Sequence, residues 1–210
     1  MQVRFCSILS IGILDLARIE AGRVHLEEEL IDFCTVVQSV ITTIRPIVQR
    51  KSIEVDCVLS DLSMMVYVDP TKLKQVLLNL LSNSVKFTDP RGRIRIDSAI
   101  HKSGDLVLSI SDTGIGIPPE QMEKVFQPFE QVEDHLTREH EGTGLGLPIA
   151  KALIEMHGGE LLLSSELGVG TTATLRLPRA RVLHDAASGA TQDSSDHPPA
   201  EAGRRHLQQP

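Results

Sequence analysis

Two amides and an ammonium share one helical ridge in "QVLLNLLSNSVKFT". Asn79, Asn83 and Lys86 stand at i, i+4 and i+7, a spacing that stacks side chains along a single helix face. Asn is a poor helix former, so two at this spacing point to a use for their oxygens. A hard cation such as Mg2+ takes amide oxygen together with waters and substrate phosphates. A lysine ammonium is a point charge suited to phosphate. The alternative is a solvated helix face, and the ridge alone leaves both open.

Three further stretches carry related chemistry. In "SISDTGIGIPPE", Asp112 ends a strand and is followed by Gly114 and Gly116. A carboxylate there can accept a hydrogen bond from a base amine, and glycines let the backbone approach a flat ring or take positive φ. A plain turn is the alternative. In "VFQPFEQ", Phe126 and Phe129 are two of only five Phe and bracket Pro128; a packing plug is the simple reading. In "EGTGLGLPIAK", Gly142, Gly144 and Gly146 alternate with Thr143 and Leu145 and lead into a helical run. A dinucleotide fingerprint needs G-x-G-x-x-G after a strand, and a P-loop needs G-K-[ST]; neither is met. What remains is a loop whose backbone N–H groups run into a helix N-terminus, a natural anion site.

The elements that must position these residues follow from periodicity. Leu73, Val76, Leu77, Leu80, Leu81 and Val85 recur at helical steps, and the asparagine ridge is expected on the side opposite them. Asp69 as cap and Pro70 at the first position open this helix over 70–86. Residues 1–21 read as a helix stopped near Gly22, 23–31 as a short strand or extended link, and Asp32 as the cap of a helix running to about Lys51. Pro46 is expected to kink or break that helix. "SIEVDCVLS", "MMVYVD", "GRIRIDSAI" and "DLVLSISD" read as strands, the last two joined around Ser103-Gly104. A short helix is expected near 119–125 within an irregular region over 112–143. A helix over 147–157 and a closing hairpin over 160–178 complete the pattern. Strands and helices are mixed without strict alternation, which favours an α+β fold, a two-layer α/β sandwich with one mixed sheet covered on one face by helices.

Bulk properties narrow the class. The 210 residues suffice for one domain with extensions. Trp is absent and aromatics are 3% of the chain, so the core must be Leu, Ile and Val. A formal net charge of −7 argues against non-specific nucleic-acid binding, which needs many Lys and Arg. Cys6, Cys34 and Cys57 lack metal-like spacing and read as free thiols in a reducing compartment. The apolar start is ended early by Asp15, Arg18 and Glu20; it is too short to span a bilayer and lacks a signal-peptide cleavage pattern. A cytoplasmic chain with no membrane segment is expected. From about 181 the composition turns polar and reads as disordered.

The order of the four motifs matters more than any one of them. "QVLLNLLSNSVKFT", "DTGIGI", "FQPF" and "GTGLGL" resemble the N, G1, F and G2 boxes of the catalytic ATP-binding domain of bacterial sensor histidine kinases, in the gyrase-like ATPase superfamily. The likeness covers roughly 30–178. "ILDLARIEAGR" looks like the end of the family's dimerisation and phosphoacceptor bundle. The resemblance implies a Bergerat-type fold with a bundle remnant over 1–22, a catalytic domain over 23–180 and a tail over 181–210.

It also implies roles. Asp112 would accept the adenine amine, with Gly114 and Gly116 shaping that end. Asn83 would ligate Mg2+, with Asn79 beside it, and Lys86 would contact the phosphates of ATP. The loop of Gly142, Thr143, Gly144, Leu145 and Gly146 would bring N–H groups to them. Residues 130–141 would form a lid anchored by Phe126 and Phe129. Partners implied are a response regulator and a His-bearing dimerisation bundle, with a homodimer possible. The eight histidines, at 25, 101, 135, 140, 157, 184, 197 and 206, all lack the family's phosphoacceptor setting. The acceptor is therefore expected on another segment or chain, and an ATP-binding module without transfer is the alternative. The superfamily's hydrolytic members carry Glu where this chain has Asn79, so rapid hydrolysis is not expected.

Overall fold

A computed structural model describes residues 13–14, 16–19, 21–59, 64–130 and 143–183. Most of the expected bundle remnant and tail, and the expected lid except Glu130, lie outside the described residues. Residues 13–14 and 16–19 are helical and end in a turn at Ala21-Gly22. Leu16 is buried and joins the main apolar core, whereas Ile13 and Leu14 stay exposed.

The first strand, β1 (Glu29–Asp32), leads directly into helix α1 (Phe33–Lys51). Asp32 caps α1 by accepting the Thr35 N–H at 3.2 Å. Pro46 does not interrupt this helix, contrary to the sequence expectation. Its missing N–H deprives the Thr42 carbonyl one turn back. Both residues are exposed, so that carbonyl is open to solvent. Phe33, Val37, Val40, Ile44 and Val48 form the buried face.

Strands β2 (Glu54–Leu59) and β3 (Met65–Val68) precede helix α2 (Pro70–Phe87). The Asp69 carboxylate accepts from the N–H groups of Thr71 and Lys72 at 2.9 and 3.0 Å. The six apolar residues expected to face the core are all buried, together with Ser84. Burying one Leu or Val contributes about 1.5–3 kcal/mol, far more than an Asn costs in helix propensity, up to about 0.7 kcal/mol. Packing therefore fixes the orientation of α2. Asn79, Asn83 and Lys86 are half-buried, not on the solvent side as expected. The solvent side carries Thr71, Lys74 and Ser82 instead. At 100° per residue the ridge falls between the apolar stripe and solvent.

Strands β4 (Arg93–Ile100) and β5 (Leu106–Asp112), helix α3 (Gly146–Met156), and strands β6 (Glu160–Glu166) and β7 (Gly170–Leu177) build the rest of the main layer. The five-stranded sheet runs β2-β4-β5-β7-β6, with β2 parallel to β4 and every other pair antiparallel. Ile94, Ile96, Leu106, Leu108, Ile110, Leu161, Ala173, Leu175 and Leu177 turn inward to the core. The alternate positions, among them Arg93, Arg95, Ser109, Ser111 and Thr174, are not buried. One helix-covered face is thus observed. In place of the expected helix near 119–125, two short 3-10 turns occur, Pro119–Gln121 and Lys124–Phe126.

A second sheet is a departure from the single sheet expected. It runs β1-β3-β8, where β8 is Val182–Leu183. Four-residue and two-residue strands are too short to display period two. Pairing of Leu183 with Met65 carries the fold past the boundary expected at 181. Arg181 fastens this corner, pairing with Glu28 at 2.6 Å and donating to the Tyr67 carbonyl at 2.8 Å. Burial pushes the Cys57 thiol above its ordinary range. Among the described residues no helix is long and apolar enough to cross a membrane.

Candidate nucleotide-binding site

Asp112 closes β5 between β4 and β7. Its Oδ1 accepts the N–H of Gly114 at 3.0 Å and that of Thr171, across the sheet, at 3.2 Å. Burial pushes its carboxyl above the ordinary range, and the Gly114 N–H, the Ser84 hydroxyl and the Thr171 N–H pull it back. The carboxylate is thus half desolvated but held by donors, a state suited to an amine ligand.

The chain after Asp112 is sewn to its neighbours. Ile115 donates to the Phe87 carbonyl at 3.2 Å, and Ile117 donates to the Ser165 hydroxyl at 2.8 Å. A Cβ on Gly114 would stand 2.6 Å from the Phe87 carbonyl oxygen. Gly116 has φ +71, and a Cβ there would collide with the Glu166 carbonyl. These two glycines serve close backbone packing between the end of α2 and the β6–β7 hairpin.

At the other end, Asn79 Nδ2 donates to the Gly146 carbonyl at 3.0 Å. Helix α3 begins at Gly146 with no side chain capping its N-terminus. A Cβ on Gly146 would meet nothing nearer than the Asn79 side chain, at 3.8 Å. An uncapped helix start leaves backbone N–H groups free to meet an anion. Gly144 differs: it has φ +67, and a Cβ there would stand 2.8 Å from the backbone of Phe129 and Glu130. Phe129 also donates to the Gly144 carbonyl at 3.2 Å. The Phe stretch and the glycine loop therefore touch directly. Phe126 packs on the core and lies under the Lys151 ammonium at 5.0 Å, whereas Phe129 is exposed. The Thr143 hydroxyl accepts from Leu145 at 3.4 Å, and Leu145 is buried. Gly142 lies outside the described residues.

Lys86 is half-buried, and burial pushes its ammonium below the ordinary range. It sits 4.6 Å from the Phe87 ring centroid. Among the described residues no carboxylate pairs with it, and nothing hydrogen-bonds the Asn83 amide. The donor set fits MgATP: amide oxygen for a hard cation, an ammonium and an uncapped helix start for phosphate, a carboxylate for a base amine. Sequence reasoning missed Ser84, Thr171 and Ser165. Ser84 was legible as the one polar residue inside the apolar stripe of α2. Thr171 acts through its backbone, which leaves no mark in the sequence.

The class of the protein follows from comparison. Residues 68–181, just over half the chain, match the family described as histidine kinase-, DNA gyrase B-, and HSP90-like ATPase, and the chain belongs to that family. Its homologues are sensor histidine kinases. The circadian input-output histidine kinase CikA of Synechococcus elongatus is 36% identical over 174 residues, 81% of this chain and 23% of that protein. The crystal structure of full-length ShkA in complex with AMPPNP superposes with a TM-score of 0.72 at 29% identity, over 82% of this chain and 36% of that one. The histidine kinase ThkA, crystallised with the response regulator protein TrrA, gives 0.64 at 25% identity, over 83% and 49%. The chain spans between 20% and 28% of the length of the first five curated relatives it matches.

Proposed function

We propose that this chain is the ATP-binding catalytic domain of a two-component sensor histidine kinase, and that it serves transfer of the ATP γ-phosphate to a histidine on another segment or chain. The observation that carries this is that α2 reaches both unlike parts of the site, meeting Asp112 through Ser84 and the start of α3 through Asn79. Asp112 offers a half-buried carboxylate at the end of β5. Helix α3 offers an uncapped start whose first residue, Gly146, is tied to Asn79.

In this reading Asp112 receives the adenine amine, and Gly114 and Gly116 hold the loop that shapes that end. Lys86, with the amides of the loop from Gly142 to Gly146, receives the phosphates. Asn83, flanked by Asn79, would hold Mg2+. Bound there, Mg2+ would neutralise charge on the phosphate oxygens. Phosphoryl transfer asks the protein mainly for position and charge neutralisation, which these side chains supply without a nucleophile. His157, the one buried histidine among the described residues, is not the acceptor: both ring nitrogens are engaged and it is 1% exposed. Phe126 and Phe129 would anchor the lid. A response regulator would take the phosphoryl group from the bundle; ThkA is crystallised in complex with such a regulator.

The test is γ-labelled ATP with and without an added His-bearing bundle. Label on the bundle supports the kinase. Nucleotide binding without label on any bundle supports an ATP-binding regulatory module instead.

A further inference from the structure

The ammonium of Lys51, the last residue of α1, donates to three backbone carbonyls: Val85 at 2.8 Å, Lys86 at 2.9 Å and Thr88 at 3.0 Å. All three acceptors lie at the C-terminal end of α2. That end carries orphan carbonyls and the negative pole of the helix dipole. A lysine in the last turn of a helix commonly meets that pole with its own side chain. Lys86 occupies that position in α2. Its ammonium instead lies over the Phe87 ring, without an ion pair among the described residues.

We propose that Lys51 is a positioning residue of the nucleotide site: by capping α2 from outside, it releases the Lys86 ammonium for phosphate and fixes the turn that presents it. The proposal rests on the nucleotide reading above and assigns a second lysine to it. One tetrahedral ammonium has three donors, and here each meets a different carbonyl. The turn so fixed also aims the Phe87 carbonyl, which accepts Ile115 and abuts Gly114. Lys51 thus sets the relation between the phosphate-side lysine and the base-side loop from a residue outside all four nucleotide motifs.

The effect should appear in the ratio of ATP to adenosine affinity, because only ATP has phosphates for Lys86. Lys51→Met and Lys86→Met in the full 210-residue chain, with the double variant, form a cycle read by displacement titration. Lys51→Met should lower the ATP-to-adenosine ratio roughly tenfold, and should add little once Lys86 is already Met. A purely structural cap would weaken both ligands alike and leave the ratio unmoved, which would overturn the proposal. So would independent effects that multiply in the double variant. If Lys51→Met does not fold, Lys51→Arg carries the test. A planar guanidinium keeps the charge but cannot aim three donors from one atom; the ratio should fall about threefold, and an unchanged ratio overturns the proposal. Absence of ATP binding by the unmodified chain overturns the nucleotide reading itself, and this inference with it.

Discussion

The Asn79 side chain donates a hydrogen bond to the Gly146 carbonyl at 3.0 Å, joining α2 to the first residue of α3. The contact spans 67 positions of sequence. It assigns the amide nitrogen of Asn79 to the protein and leaves its oxygen for other use. Asn79→Ala should cost about 0.5–1.5 kcal/mol of stability, the net contribution of one such bond. Asn79→Asp should cost more, since a carboxylate oxygen would then face a carbonyl oxygen. Urea denaturation in the absence of nucleotide checks this order. An Asp variant as stable as the Ala variant would show that the bond does not orient the amide.

The glycines of the site separate into two kinds. Gly146 has room for a Cβ, whereas one on Gly116 would meet the Glu166 carbonyl and one on Gly170 the Asp112 carbonyl. Gly146→Ala should therefore fold at least as well as the parent, because Ala is the better helix former by about 1 kcal/mol. Its methyl would fill the space beside α3, and ATP affinity should drop by about tenfold or more. Gly116→Ala and Gly170→Ala should lose stability, by about 1–3 kcal/mol or more, before any binding is measured. Thermal melts paired with ATP titrations separate the two kinds. Full ATP affinity in Gly146→Ala would remove the phosphate from that space.

Asp112 serves the fold as well as the proposed ligand. It accepts the N–H groups of both Gly114 and Thr171. Asp112→Ala strands both N–H groups, at about 1–3 kcal/mol each if water does not reach them. Asp112→Asn keeps an acceptor for them and removes the charge. Both variants should bind ATP roughly 10- to 100-fold more weakly, matching about 1.5–3 kcal/mol for a charged hydrogen bond, but only the Ala variant should melt markedly lower. Unchanged ATP affinity in Asp112→Asn would falsify the adenine role.

What the sequence made legible was local. The helix over 70–86 could be read because its cap, its Pro70 and its apolar stripe all lie within it. The four motifs could be read because their order is a property of the chain. The missing parts depend on distant partners. Strand β8 exists only because Met65 and Val66 offer it an edge. The side of α2 that holds Asn79 is half-buried because α3 arrives there from 67 residues away. Lys51 stands in the last turn of its own helix, and nothing in its neighbourhood of sequence indicates that it caps a different one.

His157 gives stability a pH dependence that its burial determines. The ring is 1% exposed. Nε2 accepts the Asp69 N–H at 3.1 Å, so Nδ1 carries the proton and donates to the Leu153 carbonyl at 2.7 Å. This tautomer is neutral, and a second proton would replace the acceptor at Nε2 with a donor facing another donor. Burial pushes the imidazole below its ordinary value of 6.5; the Leu153 carbonyl opposes that, Arg181 adds to it, and Glu28 and Asp69 oppose it. In the unfolded chain the histidine takes up a proton near 6.5, while in the fold it resists. The stabilisation from this group is therefore complete above that pH and is lost as pH falls toward the lower folded value. The slope from one such proton is at most about 1.4 kcal/mol per pH unit. Urea midpoints should decline from pH 7 to 5, and His157→Gln, less stable at pH 7, should show a shallower decline over the same range. The residue joins the end of α3 to the cap of α2 through Asp69, and Asp69 also receives the Glu27 N–H at 3.0 Å. Acid should therefore loosen the nucleotide helices and the segment leading from residues 13–22 together. Parallel slopes in the parent and His157→Gln would assign the acid sensitivity to other groups.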